Sequence, residues 1–333
     1  MNLLILGATG AVGVEIVKLL EKFKVNISHL GLYATERSLG KKIKFNNKEI
    51  PVQVLKGDDC PYYEYAIFSA GTEASSKWAP FMVGKGITVI DNSSTWRMDD
   101  SVPLVVPEIN IDDIPESFKK GIIANPNCST IQLSVPLKIL DDNFIIEEVF
   151  VATYQSVSGT GAQAINELED QVRDYVDGNE YQTWVYDQRI FGNVIPKIGE
   201  FTETGSSQEE DKMLNEMRKL LHRPDLKLYA TTARVPVFRG HSEAVTVRLK
   251  KDFSINKIKK VLSSSKAIRL LTDENYPTPI NCENKEEIMI GRIRKEKADE
   301  HVLSFWVVAD NLWKGAALNA VQILQALLQR KVK

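Results

Sequence analysis

The sequence predicts an α/β protein in two parts: an N-terminal Rossmann-type domain on a parallel sheet, then an α+β domain on a mixed or antiparallel sheet. Three observations carry this. A compact apolar strand, Asn2–Leu6, runs straight into a glycine-rich turn and a segment of helical spacing. Short buried strands then alternate with helices as far as Gly121, the pattern of a helix-covered parallel sheet. After Cys128 the strands lengthen and alternate apolar with polar residues, as in a sheet with one covered side. At 333 residues the chain has room for about two domains. They are expected at 1–127, with a C-terminal helix 312–333 returning to this part, and at 128–311.

The opening turn reads Gly7-Ala-Thr-Gly-Ala-Val-Gly13, followed by Val14–Lys22 with Val14, Val17 and Leu20 at helical spacing. This is a GxxGxxG variant of the dinucleotide fingerprint. The first glycine permits the tight turn, the second lets backbone approach a pyrophosphate, and the third lets helix pack on strand. Gly7, Thr9, Gly10, Ala11, Val12 and Gly13 are therefore the expected cofactor cradle, at a helix N-terminus that attracts phosphate. A glycine-rich turn without a ligand is the plainer alternative, and the strand–turn–helix context speaks against it. The next strand, His29–Tyr33, ends in Ala34-Thr35-Glu36-Arg37-Ser38. Arg37 and Ser38 suit a ribose 2′-phosphate and so favour NADP. Glu36 also fits the 2′-hydroxyl of NAD, and that alternative stays open at this point.

Lys42–Asn46 and Glu49–Val54 read as a hairpin turning at Asn46-Asn47. Tyr65–Ser69 is a buried strand, Glu73–Lys85 a helix, and Thr88–Ile90 a strand ending in Asp91-Asn-Ser-Ser-Thr-Trp-Arg97. Arg97 lies in a loop after a strand, where open α/β sheets bind ligands. It suits an anionic substrate group, or equally a surface salt bridge.

The stretch Gly121-Ile-Ile-Ala-Asn-Pro-Asn-Cys-Ser-Thr130 reads as strand, tight turn and helix, with periodicity through Ile131–Leu140. Asn125 or Asn127 is the expected cap, and Cys128 falls on the first helical turn. Unpaired N–H groups and the helix dipole there favour thiolate over thiol, so Cys128 is a candidate nucleophile. The alternative is a small buried hydrophobe. Strands follow at Ile145–Gln155, Leu226–Val237, Glu243–Leu249, Glu287–Arg294 and Val302–Val308. Helices follow at Ala162–Val176, Ser207–Leu221, Ile255–Leu262 and about Gly315–Gln329. Thr272–Lys285, polar and with two prolines, reads as the least ordered stretch.

Bulk properties remove several function classes. The net charge of -2 and the lack of a basic run argue against nucleic acid. No apolar run reaches the roughly 18 residues a membrane helix needs. No basic n-region precedes the first strand, and three scattered cysteines suit a reducing compartment, so a cytoplasmic protein is expected. No CxxC or HExxH spacing supports a metal.

Several motifs together resemble the aspartate-β-semialdehyde dehydrogenase family. They are GATGAVG at the N-terminus, Asp91–Arg97, Val106-Pro-Glu-Ile-Asn110 and Asn125-Pro-Asn-Cys-Ser-Thr130. Farther on come Gln155-Ser-Val-Ser-Gly-Thr-Gly161, Glu209-Glu-Asp-Lys212, Arg234-Val-Pro-Val-Phe-Arg-Gly-His241 and Asp310-Asn-Leu-Trp-Lys-Gly-Ala-Ala317. The short form of the Arg234–His241 motif is similar to the Gram-positive branch. Ser156 and Thr160 stand where small residues such as Ala are common in the family.

The resemblance implies NADPH-dependent reductive dephosphorylation of L-aspartyl-4-phosphate to aspartate semialdehyde through a Cys128 thioester. This step leads toward lysine and diaminopimelate, methionine, threonine and isoleucine. It implies His241 as acid–base group and Gln155 orienting the acyl carbonyl. Arg234 would bind the substrate α-carboxylate and Glu209 its amino group. Lys212 and Arg97 would meet the phosphate, and Asn127 would also bind substrate. An exposed Glu209–Lys212 pair is the plainer reading of those two. Ser158 and Gly159 would hold the nicotinamide end, and Asn311 would also touch the cofactor. It further implies a homodimer through the second domain, in some members a dimer of dimers, with inorganic phosphate as the second small-molecule partner. The competing readings are an N-acetyl-glutamyl-phosphate reductase-like enzyme, which has no amino group for Glu209 to bind, and a non-catalytic relative.

Overall fold

The computed structural model describes residues 1–57, 60–118 and 120–332, and the chain separates into two compact units. Met1–Asn127 with Ala316–Lys333 form the first, and Cys128–Gly315 the second.

The first unit opens with β1 (Asn2–Leu6), α1 (Ala11–Lys22) and β2 (His29–Tyr33). The hairpin β3 (Lys42–Phe45) and β4 (Lys48–Gln53) follows. Its two-residue turn has Asn46 at φ 47° and Asn47 at φ 63°, a conformation asparagine tolerates better than most residues. Then come β5 (Tyr65–Phe68), α2 (Gly71–Gly84), β6 (Thr88–Asp91), the single turn α3 (Pro107–Asn110) and β7 (Ile122–Ala124). The sheet order is β3-β4-β2-β1-β5-β6-β7, parallel throughout except for the hairpin pair. Strand order reverses at β1, so the turn after β1 opens at the switch point where such sheets bind ligands. Leu3, Leu4, Ile5, Ala66, Ile67, Val89 and Ile90 are fully or almost fully buried, which is why these strands read as unbroken apolar runs.

The second unit begins with α4 (Cys128–Phe144), β8 (Ile146–Gln155), α5 (Ala162–Asp177) and α6 (Gln208–Leu220). A reciprocal Ser207–Glu210 capping box starts α6 and fixes the position of Glu209 inside it. β9 (Lys227–Arg234), β10 (His241–Leu249), α7 (Ile255–Leu262) and β11 (Ile268–Leu270) come next. The short α8 (Pro279–Cys282), β12 (Ile288–Lys295) and β13 (Val302–Ala309) complete it. The sheet order is β11-β12-β13-β10-β8-β9, with parallel pairs at β11–β12 and β8–β9 and antiparallel pairs between. The sheet is therefore mixed.

β8 lies between β9 and β10, so Val235–Gly240 crosses the end of β8. That crossing brings Arg234, the last residue of β9, and His241, the first of β10, to the same end of the sheet as Gln155. One face of this sheet carries α4 and α6. The other leaves Phe150, Tyr154 and Tyr229 exposed, with Phe150 stacked on Tyr229 at 4.9 Å and Tyr154 against Trp306 at 5.4 Å.

After β13 a π-helical turn, Trp313–Ala317, runs into α9 (Leu318–Val332). α9 joins the first unit, where it packs on α1, α3 and β6. Thr272–Lys285 is less loose than its composition suggests. Cys282 is fully buried against Met289 and Val308, and the Asn284 N–H donates to Asp310 at 2.7 Å. Among the described residues no helix is long and apolar enough to cross a membrane.

Candidate functional site: a nucleotide cradle and a thiol–histidine–arginine set

In the first unit the glycine turn has the geometry its spacing demands. Gly7 sits at φ +89°, and a Cβ there would lie 2.2 Å from the Ser69 carbonyl oxygen. A Cβ on Gly13 would lie 2.1 Å from the Gly7 oxygen, so only glycine lets α1 sit this close to the turn. Gly10 caps α1 with no side chain over it, which leaves the helix N-terminus open to an anion. Gly7, Thr9, Gly10, Ala34, Thr35, Glu36, Ser69 and Lys77 are among the residues lining a cavity of about 480 Å³. Ala11 and Val12 open α1 half-buried and are not in that lining. Glu36, Arg37 and Ser38 form a 3-10 turn after β2. Ser38 is buried with its hydroxyl 3.0 Å from that of Thr9, while Arg37 is exposed and makes no ion pair among the described residues. A cradle that a Cβ would fill, a helix N-terminus without a side-chain cap and an exposed cation after β2 fit a dinucleotide carrying an extra phosphate.

Arg97 belongs to the same unit and is not the surface cation that its loop position allowed. It is buried, with Nε donating to the Asn125 carbonyl at 3.0 Å and Nη2 to the Asn92 carbonyl at 2.8 Å. Asn125 has a different task from the capping weighed for it. Its Nδ2 donates to Asn92 Oδ1 at 2.9 Å, and its Oδ1 accepts from Asn319 at 2.7 Å. Asn127, buried just before α4, is the remaining candidate cap.

In the second unit Cys128 is the first residue of α4, at the dipole end where a thiolate is favoured. Its backbone and Cβ are close against Gly315: a Cβ there would come 2.9 Å from that of Cys128. His241 is fully buried, with Nδ1 accepting from the Ser156 N–H at 3.1 Å. A backbone N–H only donates, so this network assigns the ring proton to Nε2. Burial first, and the Arg234 charge second, hold the imidazole pKa well below its ordinary value, against an opposing pull from the Gly240 backbone. His241 is therefore neutral at neutral pH.

Arg234 is buried as well. Its Nη1 donates to the Ser156 carbonyl at 2.7 Å, its Nε has no partner, and no carboxylate pairs with it among the described residues. Gly159 closes the group: a Cβ there would lie 2.8 Å from Arg234 Nη1 and 3.1 Å from His241 Nε2. Gln155 Nε2 donates to Glu209 Oε1 at 3.1 Å, and Glu209 Oε2 lies 3.8 Å from Lys212 Nζ. Glu209 is only 4% exposed, so the exposed-pair reading of Glu209 and Lys212 does not hold for the acid.

Asn311 braces the loop. Its Oδ1 accepts from the Gly240 N–H at 2.8 Å and from the Ser156 and Ser158 hydroxyls at 3.2 Å each, and its Nδ2 donates to Ser158 at 2.9 Å. Asn311 is 2% exposed and its carboxamide supports Ser158.

Motif reading missed three parts of this set. Ser156, noted only as a departure, places its hydroxyl 3.1 Å from His241 Nδ1. Arg239 forks onto Asp310 with Nε 2.9 Å from both carboxylate oxygens, and Asp310 also accepts from the Leu312 and Trp313 N–H groups. Glu243 is a fully buried acid two residues beyond His241. Its signal was present: in a strand of period two, an acid sharing the phase of a buried residue lies on the buried face.

A dinucleotide-type unit joined to a sheet unit that holds a helix-start thiol, a neutral histidine and a bare buried arginine is the layout of a thiol-dependent, nucleotide-linked dehydrogenase. The family model "Semialdehyde dehydrogenase, NAD binding domain" matches residues 2–117, and "Semialdehyde dehydrogenase, dimerisation domain" matches residues 137–314. The chain is similar to the aspartate-semialdehyde dehydrogenase of Aquifex aeolicus, 46% identical with 98% of this chain and 97% of that protein covered. It is also similar to that of Bacillus subtilis, 39% identical with 98% and 97% covered. The crystal structure of aspartate semialdehyde dehydrogenase II from Vibrio cholerae, complexed with ASA, superposes with a TM-score of 0.96 at 40% identity, covering 98% of each chain. The chain belongs to the aspartate-semialdehyde dehydrogenase family. Relatives spread over Aquifex, Vibrio and Bacillus do not single out a Gram-positive branch.

Proposed function

We propose that this protein reduces L-aspartyl-4-phosphate to L-aspartate 4-semialdehyde and inorganic phosphate with NADPH, reversibly, in amino-acid biosynthesis. The observation that carries the reading is Arg234. A buried guanidinium with an unpartnered Nε and no carboxylate is costly unless a ligand supplies the anion. It lies beside neutral His241 in the unit that Cys128 opens, and a substrate α-carboxylate supplies the missing charge. Glu209 is the acid assigned to the substrate ammonium, with Gln155 fixing its orientation.

The Cys128 sulfur attacks the acyl carbon, the C–O bond to phosphate breaks, and a thioester forms. Arg97 and Lys212 are the two cations assigned to the phosphate. Gly7, Thr9, Gly10, Gly13, Arg37 and Ser38 would hold NADPH, with Ser158 and Gly159 toward its nicotinamide end; when bound, it supplies the hydride. His241 Nε2–H stabilises the oxyanion on the former acyl carbon, as a fixed donor does in acyl chemistry. Breaking the C–S bond then releases the aldehyde and returns the thiolate.

The assay runs in reverse: phosphate-dependent reduction of NADP⁺ by aspartate semialdehyde. Activity with NADP⁺ that needs phosphate is expected. Arg37→Ala is expected to raise the KM for NADP⁺ about tenfold while leaving that for NAD⁺ nearly unchanged. Equal use of both cofactors by the unmodified enzyme would instead assign the ribose to Glu36. Oxidation of N-acetyl-glutamate semialdehyde in place of aspartate semialdehyde would overturn the substrate.

The same proposal includes a homodimer. Phe150, Tyr154 and Tyr229 form an exposed aromatic patch on the uncovered sheet face of the unit matched by the dimerisation-domain model. Sedimentation at micromolar concentration should give twice the 37.5 kDa chain mass, and Phe150→Asp should shift it toward the monomer. A Phe150→Asp protein that stays dimeric would move the interface elsewhere. A cytoplasmic location is part of the same proposal; none of the three thiols is in a disulfide.

A further inference from the structure

Two buried polar side chains of the second unit take no part in the mechanism above. Glu243, on β10, is fully buried, and neither carboxylate oxygen has a hydrogen-bond partner. Gln132, on α4, is equally buried, and its Oε1 is also unpartnered. The carboxamide of Gln132 lies close enough to the Glu243 carboxyl to act on it. Gln132 stands four residues after Cys128, one helical turn along the same face. Its Nε2 donates to the His241 backbone carbonyl at 3.4 Å.

The two orphans have one joint solution. A buried carboxylate with no partner is among the costliest arrangements in a protein, and the charge of a second acid, Glu209 on α6, opposes its ionisation. A carboxylic acid needs an acceptor for its O–H, and Gln132 Oε1 needs a donor. The cross-strand neighbours of Glu243, Thr153 on β8 and Val307 on β13, bring no charge.

We propose that Glu243 is a positioning residue whose carboxyl O–H donates to Gln132 Oε1, locking the carboxamide that ties the nucleophile helix α4 to the His241 backbone. Burial, with the repulsion of Glu209, pushes the Glu243 carboxyl well above the usual carboxylate range, against the pull of Gln132, as a neutral acid requires. The catalytic consequence rests on the function proposed above, whereas the hydrogen bond itself does not.

The test uses the full-length protein and isotope-edited infrared spectroscopy. At about pH 8, where ordinary carboxyls are ionised, wild type should show one protonated-carboxyl band that Glu243→Gln removes. Gln132→Met, which takes away the acceptor, should shift that band to higher frequency. An absent band, or one that Gln132→Met leaves in place, overturns the pairing. Kinetics supply the second arm. Glu243→Gln keeps a donor and is expected to hold kcat within about threefold. Glu243→Leu, of similar size but unable to donate, is expected to lower kcat about 10- to 100-fold with a smaller change in KM, because misplacing a reacting group costs about that much. Equal kcat in the Gln and Leu variants overturns the positioning role. If wild type fails to oxidise aspartate semialdehyde, the functional reading falls and the infrared arm still decides the Glu243–Gln132 bond. If Glu243→Leu does not fold, Gln132→Met carries both arms.

Discussion

Cys128→Ala should lower phosphate-dependent reduction of NADP⁺ by aspartate semialdehyde by at least about 10⁴-fold, equivalent to ~5.5 kcal/mol of transition-state stabilisation. Covalent catalysis divides the reaction at a thioester, and without sulfur neither half has a route. The loss should be chemical and not structural. Alanine keeps the Cβ that meets Gly315, so the contact setting the start of α4 survives. NADP⁺ binding followed by fluorescence, and the thermal transition, should therefore match wild type. Neither other thiol is placed to substitute. Burial pushes the Cys60 thiol up, and burial together with the Asp310 charge pushes up Cys282. Residual turnover above about 1% of wild type would be incompatible with a single covalent nucleophile at this position.

What the sequence made legible divides along a physical line. Elements specified by local chemistry could be read closely. The strand Asn2–Leu6, the strand His29–Tyr33 and the helix Ile255–Leu262 have the bounds their patterns suggested. Position-specific demands were legible too, because Gly7 and Gly13 face backbone at distances no Cβ survives. Long-range pairing was harder. The short strand Ile268–Leu270 has too few residues to show a period and exists only because β12 lies beside it. Thr272–Lys285 looked loose because its prolines and polar residues signal loop, but composition says nothing of the buried Asp310 that binds the Asn284 N–H.

The site divides in the same way. Cys128, Arg234 and His241 stand in motifs whose chemistry is readable in one dimension. The hydroxyl of Ser156 at His241, and the orphaned Glu243 above Gln132, depend on which side chains meet across strands and helices. That information lies in the register of β8 against β10 and in the packing of α4 on β10, not in any local window.

Arg234→Leu should lower kcat/KM for aspartate semialdehyde about 10³-fold, ~4 kcal/mol, mostly through KM, because a charged bidentate contact is lost. A second effect comes from the neighbouring imidazole. The His241 pKa is depressed by burial first and by the Arg234 charge second. Removing the charge relieves the second cause and lets the pKa rise. Neutral His241 is the active form, so activity is lost as pH falls through that pKa, and the acid limb of the variant must move to higher pH. Arg234→Lys separates the two roles. Lysine keeps a positive charge but cannot fork onto a carboxylate, so kcat/KM should fall while the acid limb stays near its wild-type position. A normal KM in Arg234→Leu would mean that the substrate carboxylate lies elsewhere and that Arg234 acts only on the histidine. A raised KM with an unmoved acid limb would mean that some group other than His241 titrates there. Only the combined result, KM raised in both variants and the limb shifted in Leu alone, fits one buried guanidinium that binds the substrate and tunes the imidazole beside it.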